Sequence, residues 1–214
     1  MTLRPASDRS LLVSFGDEIS PEAHREVVRL TRSLEGVRGI LNLHPAFASV
    51  LIDFDPRLRD HDDVAACVHE RLAAPLNGAA EEQRTVEIPV RFGGDAGPDL
   101  DDVARHTGLA PERVVERFCA ARFEVCFLGF ATCFPYLSGL PPELVTPRLA
   151  APRKRVPEGS VAIGGRQAGV YPLASPGGWR LIGRTSLPLF DRRAEPPPRL
   201  RMADRVIFVP ESRL

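Results

Sequence analysis

The hydrophobic and polar positions in the first third of the chain predict a small α/β unit. Leu11 to Phe15 forms a short apolar run typical of a strand. Over residues 20–34 the apolar positions recur every three or four residues behind a serine, a proline and a glutamate, which predicts a helix. Strand-like runs follow at 39–44 and 47–54, and a second helix is predicted from about Asp62 to Leu72.

The rest of the chain has a different pattern, in which short strands predominate. Thr85 to Phe92 alternates as a strand, and two short helices are predicted at Leu100 to His106 and Pro111 to Ala120, with Asp99 placed to cap the first. From Arg122 onward glycine and proline interrupt apolar runs every several residues, which indicates a small barrel or sandwich. These runs lie at 124–128, 160–163, 168–171, 179–183 and 205–209.

A change of composition separates these two parts. Residues 73–83 contain proline, asparagine, glycine and a pair of glutamates, which is typical of a linker. We therefore expect two domains in an α+β protein, an N-terminal α/β domain over 1–76 and a mostly β domain over 84–214.

Composition and charge exclude several function classes. The chain has 28 basic and 28 acidic residues, so no overall field attracts nucleic acid or an anionic membrane, and neither is an expected partner. The longest apolar stretch, 125–134, is far too short to span a bilayer, and no basic segment followed by an apolar run begins the chain. We expect a soluble, cytoplasmic protein.

Common metal and nucleotide motifs are missing from the sequence. The four cysteines form no Cys-x-x-Cys pair, and the carboxylates of Asp99, Asp101 and Asp102 fit a helix start, so no metal site is predicted. There is no Gly-x-x-x-x-Gly-Lys loop and no Gly-x-Ser-x-Gly elbow. A self-contained nucleotide-binding enzyme or serine hydrolase is therefore disfavoured.

Arginines alternate with prolines in residues 146–157. The chain has one lysine, Lys154, so anion recognition falls to arginine, and Schiff-base chemistry is a poor candidate. Arg148, Arg153 and Arg155 fit two hypotheses: an extended arm that presents guanidinium groups to an anion or partner, or a solvated polyproline-like loop.

The densest segment of candidate chemistry is 175–185. Pro176 and the Gly177-Gly178 pair allow a sharp turn that either brings bare amides to a ligand or simply joins two strands. Arg184 follows the next predicted strand, with Thr185 beside it, and is placed to reach a barrel mouth. Gln167 and Tyr171 lie four residues apart, which puts them on one face of a regular strand, where both can hydrogen-bond to an amide or a carboxylate.

Seven motifs spread over nearly the whole chain form a specific combination. They are Phe15-Gly16-Asp17, Pro45 to Ser49, Gly97-Pro98-Asp99, Phe127 to Phe130, Phe134 to Leu137, Ala162 to Pro172 and Ser175 to Thr185. Together they resemble the family of the B subunit of bacterial 5-oxoprolinase, also called allophanate hydrolase subunit 1 or carboxyltransferase domain subdomains C and D. The family includes a sporulation kinase inhibitor.

The resemblance implies an N-terminal α/β domain followed by a cyclophilin-like β-barrel. It also implies a subunit that is inactive alone and works with a C subunit of related barrel fold and an A subunit. The assembled complex would use ATP with Mg²⁺ to open a small cyclic amide, 5-oxo-L-proline, to L-glutamate. Two alternatives stay open within the family: an inhibitor that binds a sensor histidine kinase, and a carboxyltransferase component that acts on a urea-like amide.

Residue by residue, the family motifs give a set of predicted site residues. Arg184 and Gln167 are predicted to be catalytic, because a lactam oxygen that gains negative charge needs positive and amide donors. The predicted substrate-binding residues are Tyr171, Pro176, Gly177, Gly178 and Thr185.

The chain departs from the family pattern at one loop. It has Thr132-Cys133 where the family commonly has a Pro-Gly pair. If that loop keeps a positive φ, Cys133 adopts it at a cost of about 1 kcal/mol, and otherwise the loop takes another path.

Overall fold

The computed structural model describes residues 1–75 and 83–211, and residues 76–82 of the predicted linker lie outside the described part. Contacts divide the chain into two compact units, Met1–Glu81 and Glu82–Leu214. No helix in the described ranges is long and apolar enough to cross a membrane.

The first unit is a four-stranded antiparallel sheet with two helices. The sheet has the order β1-β2-β4-β3. The sequence pattern did not predict β1, whose residues are almost all exposed and include Pro5. The elements are β1 (Thr2–Ser7), β2 (Ser10–Ser14), α1 (Pro21–Leu34), β3 (Ile40–Pro45), β4 (Ser49–Phe54) and α2 (His61–Ala73).

Local signals define both helices of this unit. The Ser20 hydroxyl accepts the Ala23 N–H at 3.1 Å and so caps α1, while Asp60 and Asp63 form a reciprocal capping box at the start of α2. Both helices bury their apolar faces on one face of the sheet. The core consists of Leu11, Val13, Val27, Leu30, Leu34, Val50, Ile52, Phe54, Val64, Cys67 and Val68.

The second unit contains a closed seven-stranded barrel. Its strands follow the order β10-β7-β6-β13-β5-β12-β9, and β8 and β11 form a separate two-stranded ribbon. The predicted α+β class with a β-barrel is confirmed. The elements are β5 (Thr85–Phe92), α3 (Leu100–Thr107), α4 (Pro111–Ala120), β6 (Phe123–Gly129), β7 (Phe134–Ser138), a 3-10 helix (Pro142–Leu144), β8 (Arg153–Val156), β9 (Ser160–Gly164), β10 (Gln167–Val170), β11 (Ser175–Gly177), β12 (Arg180–Arg184) and β13 (Arg205–Pro210).

Alternate residues of the barrel strands build the main core. Strand β13 pairs in parallel with β5 along its whole length and antiparallel with β6, which closes the barrel. Because successive strand residues point to opposite faces, one residue in two joins this core, together with the buried faces of α3 and α4. Strand residues of the core include Ile88, Val90, Val125, Leu137, Val161, Ile163, Ala168, Val170, Ile182, Val206 and Phe208.

Helix α3 starts at Leu100 as predicted, but the predicted capping role of Asp99 is wrong. The Asp99 carboxylate does not cap the helix; it accepts the Leu181 N–H at 2.7 Å and pairs with Arg153, also at 2.7 Å. The backbone runs so close to β12 here that a side chain at Gly97 would lie 2.0 Å from the Ile182 carbonyl oxygen. Tertiary contact to β12, rather than helix capping, therefore explains this aspartate.

The two-stranded ribbon of β8 and β11 changes the interpretation of two segments, residues 153–156 and the Gly177-Gly178 turn. Residues 153–156, considered as an arm or a loop, form β8 and pair with β11. The Gly177-Gly178 turn does not close a simple hairpin, because β11 pairs with β8 whereas β12 pairs with β5 and β9 of the barrel. The turn therefore carries the chain from the ribbon to the barrel wall.

Candidate functional site

An aromatic cluster covers the outer face of the barrel, which we define as the face of β7, β9, β10 and β12 opposite the main core. The cluster is separate from that core, although the same strands supply both. In β9, for example, Val161 and Ile163 join the main core and Ala162 joins the cluster. Its buried members are Phe134, Val156, Ala162, Tyr171, Trp179 and Leu181.

Edge-to-face contacts fix the rings of this cluster. Phe134 lies at the centre, with its ring centroid 5.0 Å from Tyr171 and 5.4 Å from Trp179, and with interplanar angles of 77° and 90°. Tyr136 lies 5.7 Å from Trp179 and stacks on Phe127 at 4.6 Å. Such geometries are favourable for aromatic pairs, so the rings form a rigid platform.

Glycines make room for these rings. A Cβ at Gly164 would lie 2.4 Å from the Trp179 ring, and one at Gly177 would lie 2.2 Å from the Tyr171 hydroxyl. Neither distance is possible for a real side chain without a shift of its neighbour. The glycines therefore serve close packing at the cluster, and the Pro-Gly-Gly segment contributes to it directly.

A pocket of about 300 Å³ opens on this cluster. Aromatic rings form its floor, and the ribbon, the turn after β11 and the segment before β8 form its walls. Of the described residues that line it, only Arg148 is charged. The lining residues are Phe130, Phe134, Tyr136, Arg148, Leu149, Pro152, Tyr171, Pro176, Gly177, Gly178 and Trp179.

The backbone on both sides of Arg148 is held by hydrogen bonds. Thr146 exchanges hydrogen bonds with Gly165, the Leu149 N–H donates to the Gly178 carbonyl at 2.7 Å, and the Pro147 carbonyl accepts from Arg180 at 3.3 Å. The segment is therefore not a free polyproline-like loop. It carries Arg148 to a defined place at the pocket.

The guanidinium of Arg148 lies against the face of Trp179. Its Cζ atom is 5.4 Å from the ring centroid, within the range of a cation–π contact. Burial raises the pKa of the Tyr171 and Tyr136 hydroxyls, and the nearby positive charge of Arg148 offsets part of that rise in both. The pocket thus presents neutral tyrosines and one cation.

Two ion pairs hold the ribbon and β12 to α3. Arg153 of the ribbon pairs with the buried Asp99, and Arg180 of β12 pairs with Asp102 at 3.0 Å. Arg105 also reaches Asp102 and is the main cause of its lowered pKa. The pocket wall is therefore attached to the helical part of the same unit.

The loop between β6 and β7 forms one rim of the pocket. Phe130 is 65% exposed, and its ring packs edge-on against Phe134 at 5.6 Å. Both Phe130 and Cys133 have positive φ, 59° and 61°. Cys133 thus has the backbone conformation that favours glycine. Of the two alternatives for this loop, a positive φ at Cys133 or a different path, the structure shows the positive φ.

The structure brings four of the predicted site residues together. Tyr171, Pro176, Gly177 and Gly178 all line the pocket. Tyr171 is almost completely buried, with its hydroxyl beside Gly177 and near the Trp179 backbone N–H.

The other three predicted residues lie outside the pocket lining. Arg184 is exposed, and its Nε donates to the Glu158 carbonyl at 2.8 Å. Thr185 is buried, and its hydroxyl accepts the Leu187 N–H at 3.1 Å. Gln167, at the start of β10, is half-buried. Their predicted roles stay predictions, but they do not share a cavity with the other four.

Sequence reasoning did not assign Arg148 and Trp179 to the site. Arg148 was one of three arginines in a Pro-rich stretch, and nothing local distinguishes it from Arg153, which the structure places in an ion pair. Trp179 carried a usable signal, because it is the only tryptophan and directly follows the Pro-Gly-Gly turn.

Comparison with known proteins gives the family. Residues 1–200 match the family described as carboxyltransferase domain, subdomain C and D. The chain belongs to this family. It is 41% identical to the 5-oxoprolinase B subunit of Escherichia coli O157:H7, over 96% of this chain and 94% of that protein. It is 38% identical to the 5-oxoprolinase B subunit of Bacillus subtilis strain 168, over 94% of this chain and 89% of that one.

A solved structure has the same fold as this chain. The crystal structure of TTHA0988 superposes with a TM-score of 0.86 at 35% sequence identity, over 97% of this chain. This chain spans only 41% of that longer one. The barrel and the small α/β unit therefore recur within a larger polypeptide.

Proposed function

We propose that this chain is the B-type subunit of an ATP-dependent 5-oxoprolinase that hydrolyses 5-oxo-L-proline to L-glutamate. The observation that carries the proposal is the 41% identity to a 5-oxoprolinase B subunit across 94% of that protein. The pocket supports it, because its volume and its mixture of rings and one cation suit a small polar ring compound.

The chemistry of the substrate sets the demands on the protein. The amide of a five-membered lactam is resonance-stabilised and a poor electrophile, so it must be activated before water can open the ring. ATP would phosphorylate the lactam oxygen and leave as ADP. Water would then add to the activated carbonyl carbon, and cleavage of the ring C–N bond would release the amine and leave an acyl phosphate. A second water would hydrolyse this acyl phosphate to the carboxylate and inorganic phosphate. The protein must hold the ring, stabilise the oxygen as it gains negative charge and keep bulk water away.

The pocket residues account for part of these demands. The rings of Phe134 and Trp179 offer apolar faces to a lactam ring, and the neutral Tyr171 hydroxyl lies at the pocket wall. Arg184 and Gln167 remain the proposed catalytic residues, and Thr185 a proposed substrate contact. Because all three lie outside the pocket lining, those roles require the reacting ring to extend beyond this pocket or a partner surface to complete the site.

Nucleotide and metal are assigned to the assembled complex rather than to this chain. In residues 1–75 and 83–211 there is no group of three or more His, Cys, Asp or Glu side chains that could hold a metal ion by themselves. We propose that an A subunit and a C subunit of related barrel fold are the partners and complete the active site.

Purification of the tagged chain from its own host, with the subunits it retains, tests the proposal. We expect 5-oxoproline-dependent ADP release with an equal amount of glutamate, and no turnover by the chain alone. If a preparation that holds the second barrel subunit releases no ADP, another amide is the substrate. If the chain retains no partner subunit and instead retains a histidine kinase, the inhibitor alternative replaces this proposal.

The catalytic assignments have a separate test in the same preparation. Arg184→Ala should reduce turnover at least tenfold, which corresponds to about 1.4 kcal/mol. Arg166→Ala, at another exposed arginine of the same unit, is the matched control and should leave turnover unchanged. If Arg184→Ala stays within about twofold of the parent, the catalytic role of Arg184 is wrong.

A further inference from the structure

We propose that Arg148 is the residue by which the aromatic pocket recognises its ligand, and that this ligand is a small monocarboxylate with a compact ring. The inference rests on the proposed function for the choice of 5-oxoproline as a probe, and on the geometry of the pocket for everything else. It assigns recognition of the ligand's carboxylate to Arg148, which lines the pocket, whereas Arg184, the proposed catalytic residue, lies outside the pocket lining.

The hydrogen-bond donors of Arg148 are available to a ligand. Among the described residues, Arg153 is paired with Asp99, Arg180 is paired with Asp102, and Arg184 donates to a backbone carbonyl. No carboxylate of the described part of the chain lies within ion-pair distance of Arg148. Its guanidinium can therefore offer two parallel N–H groups to a carboxylate, which is the geometry that arginine favours.

The guanidinium of Arg148 is also positioned before any ligand binds. The Thr146 and Leu149 N–H groups donate hydrogen bonds and the Pro147 carbonyl accepts one, which fixes the backbone around Arg148, and the Trp179 face lies 5.4 Å from its guanidinium. A side chain that is ordered before binding loses less conformational entropy when the ligand arrives. Arg148 is an exposed residue, and its contact with the Trp179 face holds the guanidinium at the pocket.

The charge, size and surface of the pocket define the class of ligand. Among the described residues that line the pocket, Arg148 is the only charged one, so the pocket matches a ligand with a single negative charge better than a phosphate dianion. The volume of about 300 Å³ is at the lower end for ligand pockets, which favours a compact molecule. The aromatic floor of Phe134, Tyr136 and Trp179 suits a ring with apolar CH₂ faces rather than a sugar.

The protein contains its own probe for the test. Trp179 is the only tryptophan of the chain, and its ring lines the pocket against Arg148, so tryptophan fluorescence reports on this site alone. We would titrate the full chain with 5-oxo-L-proline, with cyclopentanecarboxylate, which keeps the ring and the carboxylate, and with 2-pyrrolidinone, which keeps the lactam and lacks the carboxylate.

The expected result is saturable binding of both carboxylates and at least tenfold weaker binding of 2-pyrrolidinone. Arg148→Gln should weaken the carboxylates about tenfold and remove the preference over 2-pyrrolidinone, because a hydrogen-bonded charge is lost. Arg148→Lys should bind the carboxylates with an affinity between those of the parent and Arg148→Gln, because lysine keeps the positive charge but lacks the two parallel N–H groups of a guanidinium. Arg155→Gln makes the same charge change at an exposed position of the ribbon outside the pocket lining, and should bind like the parent.

Turnover by the assembled complex separates this inference from the proposed function. Arg148→Gln should raise KM for 5-oxoproline about tenfold with little change in kcat. Equal binding of 2-pyrrolidinone and the carboxylates, equal losses in the Arg148 and Arg155 variants, or an unchanged KM in an active complex would each overturn the role of Arg148 and leave the proposed function standing. If carboxylates bind in an Arg148-dependent way but the complex does not turn over 5-oxoproline, the role of Arg148 stands and the proposed function is wrong.

Discussion

The two faces of the barrel strands β7, β9, β10 and β12 are filled in different ways. The face toward the main core is packed with aliphatic side chains of the strands themselves, such as Val161, Ile163 and Val170. The outer face carries small residues at Ala162, Gly164 and Gly169. The Trp179 ring occupies the space over Gly164, and the Phe134 ring of β7 occupies the space over Gly169.

The difference shows how a pocket is added to a closed barrel. The core depends on the alternation within each strand and would survive changes in the loops. The outer face depends on a ribbon, a turn and a loop that meet over small residues, and specific polar contacts hold them there. Substitutions in the ribbon, the turn or the loop should therefore disrupt the aromatic cluster and its pocket while the main core stays folded.

Loss of the Asp99 carboxylate, which anchors the ribbon through Arg153, should have the largest effect on stability. Asp99→Ala deletes an ion pair and leaves the Leu181 N–H and the half-buried Arg153 without their acceptor. We expect the free energy of unfolding to fall by about 3 kcal/mol, with altered Trp179 fluorescence in the folded state. Urea denaturation followed by circular dichroism measures the first quantity.

The neighbouring helix offers a matched control for Asp99. Asp101 is exposed on the same helix, and Asp101→Ala should change stability by less than about 0.5 kcal/mol. Similar losses in both variants would show that the anchor has no special role.

Two adjacent glycines allow a sharper comparison of the outer face. Gly177→Ala forces a Cβ against the Tyr171 hydroxyl, whereas a Cβ at Gly178 lies 3.6 Å from Pro152, an ordinary contact. Gly177→Ala should lower the free energy of unfolding by about 2 kcal/mol and change the Trp179 fluorescence, whereas Gly178→Ala should do neither. Thermal unfolding and emission spectra of both variants check this, and tolerance at Gly177 would mean that the pocket wall is not tightly packed.

The strained rim loop predicts a stabilising substitution. Cys133 has a φ of 61°, which glycine adopts without the steric cost of a side chain, so Cys133→Gly should raise the free energy of unfolding by about 1 kcal/mol. Ala131→Gly in the same loop, where φ is not positive, should lower it. A loss of stability in both variants would show that the Cys133 side chain contributes more by packing than it costs in strain.

The smallest effect concerns alkaline pH. Burial raises the pKa of Tyr171 in the folded state, so its contribution to stability is complete below about pH 10 and is lost as the pH rises further. Tyr171→Phe should therefore weaken the decline of stability above pH 10. The pKa values of Tyr136 and of the Cys119 and Cys126 thiols are raised as well, so the measured quantity is the difference in stability between parent and variant at each pH.

Local patterns in the sequence predicted most of the barrel. The predicted bounds of β5 and α4, Thr85 to Phe92 and Pro111 to Ala120, match the observed ones, because alternation and a first-turn proline are local signals. The ribbon escaped prediction: β8 and β11 have only four and three residues, contain charged or proline positions and exist through pairing with each other.

The composition of the site was harder to predict than the fold. Tyr171 and the Pro-Gly-Gly turn could be selected because they cluster in sequence. Arg148 could not, because its place depends on the bridge from Thr146 to Gly165 and on the bond from Leu149 to Gly178, contacts between segments about 20 to 30 residues apart. Similarly, Asp99 looked like a helix cap until β12 supplied a buried N–H for it.

The pairing of β13 has a consequence for the order in which the chain folds. Strand β13 lies between β5 and β6 in the barrel, so these two strands expose unpaired edges until residues 205–210 are available. During synthesis the N-terminal unit has all its strands and helices long before that point, whereas the barrel must wait for β13 to be made. The barrel unit thus combines a high contact order with a late closing strand, and its nascent form is the stage at which aggregation is most favoured.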